Sequence, residues 1–300
     1  MTTQPTRTDW FNIILLGVVW GGTFMVMTLA LEGYGPLTVA CARTTLGALS
    51  LWVMMWVAGV KIPRLTPALM KSVFWIGMLS TAVPFFLLSW GLTHVPSAFA
   101  GISMAAVPLF VLPLAHFFSD ERMQLRKFIG VCLGFVGALV LIGPGLMELG
   151  QSAMPLAQLA CVGAALCYAI SSVQTRTCPP IHPIALSALG LTVGAAFLIP
   201  VMLLGEGLPH ISETRPSLAI VFLGFVPTAA AMFLRTSVIQ SAGAVFMTLV
   251  NYQVPVWSMI FGAWILSEAL PLRFFTALAM ILTGLIISQF NSLRKLLLRP

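Results

Sequence analysis

Charge is almost confined to the gaps between ten apolar runs, and that spacing limits what the chain can become. The runs fall near residues 11–31, 37–58, 71–93, 97–118, 128–145, 155–174, 184–204, 217–238, 243–265 and 274–291. Most are close to the roughly 20 residues that cross a bilayer as a helix. Only 8% of the 300 residues are charged, against about a quarter in a soluble domain. Backbone polar groups in hydrocarbon must be bonded within their own segment, so the pattern predicts an all-α integral membrane protein with ten transmembrane helices. The first run is too long for a signal-peptide core and lacks a small-residue cleavage site, so it reads as a retained helix.

The fifteen basic residues orient the spans. With the N-terminus inside, Arg7, Lys61, Arg64, Lys71, Arg122, Arg126, Lys127, Arg176, Arg235, Arg294, Lys295 and Arg299 fall on the cytoplasmic side. Only Arg215 and Arg273 fall outside, and Arg43 lies within span 2. This asymmetry supports a cytoplasmic N-terminus and C-terminus. Because the basic residues are scattered singly, the net charge of +7 points to the lipid bilayer as partner and not to nucleic acid. Trp10, Trp52, Trp56 and Trp75 read as interfacial belt residues.

A sparse text occurs twice. Phe99, Val107, Pro108, Glu121, Leu125, Arg126, Phe128 and Gly137 return, each 147 positions later, as Phe246, Val254, Pro255, Glu268, Leu272, Arg273, Phe275 and Gly284. Five spans per half is an odd number, so the second copy enters the membrane upside down. The expectation is two inverted-topology five-helix repeats, 1–149 and 150–300, forming one transmembrane domain. Such repeats meet at a pseudo-two-fold axis in the membrane plane, where transporters place their substrate site.

Mid-span prolines select the helices around that axis. Pro84 lies in span 3, Pro108 and Pro113 in span 4, Pro227 in span 8 and Pro255 in span 9. Each removes a backbone hydrogen bond and frees a carbonyl four residues earlier, such as those of Met104 and Asn251. A freed carbonyl should face protein or a water-filled cavity, which makes Pro84, Pro108, Pro227 and Pro255 candidate kink or gating positions. Tilting for packing is the alternative. In span 9, Thr248, Asn251, Tyr252, Pro255, Ser258, Met259 and Gly262 share one face, opposite small or flexible residues of span 4 that include Gly101 and Met104. Further cavity candidates are Trp20 and Thr23, Thr81 and Trp90, Ser103, Tyr168, Ser171 and Ser172, and Thr228. Any of these hydroxyls has its own helix backbone as an alternative partner.

Arg43 either holds freed carbonyls and locks span 2 or meets a substrate carboxylate; the unkinked span favours the lock. Glu121 and Glu268 precede spans 5 and 10, where a carboxylate stabilises a helix N-terminus or forms a gate ion pair. Gly130 and Gly134 form a GxxxG that serves either dimerisation or packing within one chain, so monomer and homodimer both stay open. Glu32, Asp120, Glu121, Glu148, Glu206, Glu213 and Glu268 all sit at span ends or in loops. That arrangement offers no mid-span carboxylate relay and points to facilitated movement. Five cysteines without a CxxC suggest neither a disulfide framework nor a metal site. With no HExxH, no GxSxG and no mid-span Asp, the chain does not read as an enzyme, and no cofactor is expected.

The stretch PLFVLPLAHFFSDERMQLRKFIGVCLGFVGALVLI and its echo from Pro255 to Ser288 resemble the Pro, Glu and Gly pattern of EamA-type proteins in the drug/metabolite transporter superfamily. Trp20, Arg43 and the HVPSAFAGIS segment fit the same family, although Asp120 and Ser267 stand where Gly commonly precedes the Glu. The resemblance implies ten helices, a central cavity at the repeat interface, a bacterial inner-membrane location and outward movement of amino acids, aromatic ones among them, or related small metabolites by alternating access. A multidrug or lipophilic-cation exporter is the alternative. It would want an inward acidic or aromatic cage, and the missing mid-span carboxylate counts against it.

Overall fold

The structure is a computed structural model that describes residues 5–118, 125–143, 152–210, 212–242, 244–247 and 249–297. These residues are helical with no β-strand among them. In order the helices are α1 (Arg7–Leu31), α2 (Pro36–Val57), α3 (Pro67–Gly77), α4 (Val83–Gly91), α5 (Ser97–Met104), α6 (Val107–Phe118) and α7 (Leu125–Ile142). There follow α8 (Met154–Thr177), α9 (Pro183–Gly205), α10 (Thr214–Leu223), α11 (Ala231–Ala242), α12 (Ala244–Met247), α13 (Val250–Ile265) and α14 (Leu272–Leu297). Two π-helical segments, Met78–Ala82 and Gly224–Ala230, join α3 to α4 and α10 to α11 without ending the helix. Eight stretches are long and apolar enough to cross a membrane, and Leu272–Ser288 adds a shorter apolar helix.

The helix starts follow local chemistry. Thr6 and Asp9 form a capping box at α1. Pro36, Pro67 and Pro183 occupy first-turn positions, where a missing N–H costs nothing. The prolines also account for most interruptions. Pro84 stands just after the first π segment and Pro227 lies inside the second, so the ladder re-registers where the N–H is absent. Pro108 stands in the first turn of α6, after a break at Ala105 and Ala106. Pro255 is held within an unbroken α13.

Small residues set the packing. The broadest contact is α7 against α14, followed by α2 against α9 and α1 against α13. At the first, Gly130 lies directly on the backbone of Gly284 and beside Ser288, while Gly134 receives Leu109 of α6. Both glycines of the GxxxG therefore serve contacts within one chain. Gly21 accepts Trp257, Gly101 accepts Ser258, and Gly91 accepts Cys161. One apolar core runs through α1, α4, α5, α8 and α13, and a second lies between α2, the first π segment and α9.

Polar contacts tie chain ends together across the two halves. Glu206, just after α9, accepts the N–H groups of Leu37 and Thr38 at 2.8 Å each and the Thr38 hydroxyl at 2.7 Å. Tyr34 bonds Ser217 at 2.7 Å, and Arg215 pairs with Glu32 at 3.5 Å nearby. Glu268 accepts from the N–H groups of Ser97 and Ala98 at 2.6 and 3.1 Å. This corrects the sequence reading of that residue, because it caps α5 and not α14, the helix it precedes. Ser267, with φ of +54°, turns the chain so that the carboxylate faces across the bundle.

Candidate functional site

The second π segment is where the polar candidates meet. The Trp20 indole N–H donates to the carbonyl of Pro227 at 3.1 Å. One residue on, Thr228 is buried, donates to the Leu223 carbonyl five residues back at 2.8 Å and accepts from Arg43 Nε at 3.1 Å. Thus two carbonyls around Pro227 are satisfied by a tryptophan and a threonine. Arg43 is 5% exposed, with its guanidinium 3.9 Å from the centre of the Phe85 ring and Nη1 3.4 Å from the Met27 sulfur. Tyr168, half-buried, packs against both apolar cores, the second of which contains Phe85. Residues from α1, α2, α4, α8 and the second π segment therefore converge on one spot.

The other hydroxyls are engaged locally. Thr23 donates to Val19, Thr81 to Gly77, Ser103 to Phe99, and both Ser171 and Ser172 to Tyr168, always to backbone carbonyls of the same helical stretch. Each keeps lone pairs but has committed its proton. Ser172 is exposed, yet by helical arithmetic it shares a face with buried Cys161 and Ala165 and with Tyr168, so this inner face of α8 opens near its C-terminal end. Met104 packs against the main core. Trp90 is set apart near the end of α4, 5.4 Å from the His94 ring.

The polar face of α13 divides into two. Ser258 and Gly262 are pressed against Gly101 and Ser97 of α5, a helix contact and not an open wall. Among the described residues, Asn251, which is half-buried, makes no side-chain hydrogen bond, and the buried Tyr252 hydroxyl has no partner. Gln253, absent from the sequence candidates, donates to the Ile13 carbonyl at 3.4 Å and lies on Gly17. Thr248 and Glu121 lie outside the described residues.

Sequence reasoning also passed over Asp9. It is 4% exposed in the first turn of α1, where its carboxylate binds Thr6 and reaches across to the Ser241 hydroxyl of α11. An acidic residue three positions after a threonine was the available signal, since that spacing writes a capping box. Its tie to α11 spans 232 residues and had no such signal. Among the described residues no cluster of His, Cys, Asp or Glu is arranged to hold a metal.

The EamA-like transporter family model matches residues 10–143 and again 155–290. The chain is 27% identical to a probable amino-acid metabolite efflux pump of Salmonella typhimurium, covering 95% of this chain and 96% of that one. It is 25% identical to the Escherichia coli strain K12 protein termed uncharacterized inner membrane transporter YedA, covering 92% and 88%. A solved crystal structure shares the fold with a TM-score of 0.68, covering 98% of this chain and 100% of its own at 19% identity.

Proposed function

The chain belongs to the EamA-like transporter family, and from that premise we propose that it exports amino acids, aromatic ones among them, or related small metabolites by alternating access. It is a multi-pass protein of the bacterial inner membrane. The observation that carries the mechanism is the pair of π segments at counterpart positions. Adding 147 to Met78–Ala82 gives 225–229, inside Gly224–Ala230. A re-registered ladder is a place where a helix changes angle at low cost, and these two flank the polar convergence.

We read the halves as inverted five-helix repeats, and three features of the packing support this. Thr81 packs on Gly194 as its counterpart Thr228 packs on Gly47, the counterpart of Gly194, although the hydroxyl is nearest in the first contact and the methyl in the second. The α2 helix starts where α9 ends, at Leu37 and Glu206. In the same way α5 starts where α13 ends, at Ser97 and Glu268, and α7 ends where α14 starts, at Gly143 and Arg273. Because α5 with α6 is the counterpart of α12 with α13, these pairs of counterpart spans run antiparallel, in keeping with an inverted duplication. On this reading both termini are cytoplasmic, which the basic-residue asymmetry supports.

We assign the path to α3 to α6 and α10 to α13 with the π segments, the site to the convergence around Trp20, Tyr168 and Thr228, with Asn251 and Tyr252 as further candidates on α13, and movement to be facilitative. A lipophilic cation would meet the buried Arg43 as a like charge, which disfavours the multidrug alternative. The test is uptake of radiolabelled amino acids by the purified protein in liposomes, with unlabelled competitors. Saturable uptake that aromatic amino acids inhibit is expected; inhibition by lipophilic cations alone would transfer the assignment to drugs.

A further inference from the structure

We propose that Arg43 is the carboxylate-binding residue of the transport site, so that the solutes carried are those with a single free carboxylate. This rests on the export reading above. A buried guanidinium carries five N–H donors and a charge that costs several kcal/mol to remove from water. Around Arg43 the described residues supply one hydroxyl, one thioether and one ring face, and no carboxylate pairs with it. Among the described residues its Nη2 makes no hydrogen bond, so this donor pair is left for a ligand.

A lock for freed carbonyls does not explain the residue. The Pro227 carbonyl is taken by Trp20 and the Leu223 carbonyl by Thr228, which leaves Arg43 without a backbone oxygen. The frame does not need an arginine either. Its counterpart 147 residues on is Gly190, which packs on Gly77 in an otherwise matching contact between the halves. The counterparts of Trp20 and Tyr168 are Cys167 and Gly21. The large polar residues occur in one copy only, where a symmetric scaffold has been made to hold something asymmetric. One cation matches a carboxylate monoanion better than a doubly charged phosphate, and the neighbouring Phe85, Tyr168 and Trp20 rings suit an aromatic or apolar remainder.

The experiment measures radiolabelled L-phenylalanine uptake in liposomes with L-phenylalaninamide as competitor, for the wild type, Arg43→Lys and Arg43→Gln. In the wild type the amide, which lacks the carboxylate, should compete about tenfold or more weakly than unlabelled L-phenylalanine. Arg43→Gln should raise KM for phenylalanine by about tenfold or more and abolish the discrimination, with Arg43→Lys between. Equal competition by acid and amide in the wild type overturns the inference even if no variant folds, and so does an unchanged KM in Arg43→Gln. Absence of any phenylalanine uptake in the wild type would instead overturn the aromatic export reading and this inference with it.

Discussion

Thr228 sits against Gly47 so closely that a methyl group on the glycine would meet its Cγ2 at 2.5 Å. The contact joins α2 to the second π segment, and Thr81 with Gly194 repeats it in the other half. Gly47→Ala should destabilise the protein by about 1–3 kcal/mol through overpacking. Thr228→Ser removes the obstructing methyl and keeps the hydroxyl for Arg43, so the double variant should recover part of the loss. Thermal melting of the four proteins in detergent checks this as a double-mutant cycle, and additive losses would mean that the residues do not share the space.

Two loop carboxylates do the work of N-caps on helices of the other half. Glu206→Ala and Glu268→Ala each leave two first-turn N–H groups without their acceptor, and each should cost about 0.5–2 kcal/mol. Glu206→Gln keeps one acceptor oxygen and should lose less. Unfolding midpoints give the order, and equal losses for the Gln and Ala variants would mean that the charge and not the cap geometry matters.

Ser267 holds φ at +54°, a conformation in which a side chain costs about 1–2 kcal/mol. Glycine removes that cost but gives back part of it through the freer unfolded chain. The net expectation for Ser267→Gly is a gain of up to about 1 kcal/mol, read as a higher melting temperature with transport unchanged. A lower melting temperature would mean that the hydroxyl outweighs the strain.

The all-helical, multi-spanning character and the interruptions near Pro84, Pro108 and Pro227 could be read from residue order, because apolar periodicity and proline chemistry are local, whereas Pro255 lies in an unbroken α13. What replaces a lost hydrogen bond is not local. Pro227 announces a free carbonyl, but only the fold brings Trp20 from 207 residues away to take it. Glu268 announces a cap, and its partners Ser97 and Ala98 lie on a helix 170 or more residues distant. The hydroxyl candidates illustrate the converse. Thr23, Ser103 and Ser171 are buried as expected of a lined interior, yet their protons go to their own helices, an option every such residue carries and none displays in sequence.

Asp9 and Ser241 join the start of α1 to the end of α11. If the helices rock around the π segments, these ends separate once per cycle. An Asp9→Cys, Ser241→Cys pair in a background whose five native cysteines are replaced should stop transport on oxidation and regain it on reduction. Full transport by the cross-linked protein would mean that α1 and α11 move together.

Facilitative export, as proposed, needs no proton gradient. Its most direct test is efflux of radiolabelled L-phenylalanine from preloaded liposomes containing the purified protein, at equal pH on both sides. Efflux should be faster than from protein-free liposomes, saturable and unchanged when a protonophore is added. Efflux no faster than from empty liposomes, or transport that appears only when a pH gradient is imposed, would contradict it.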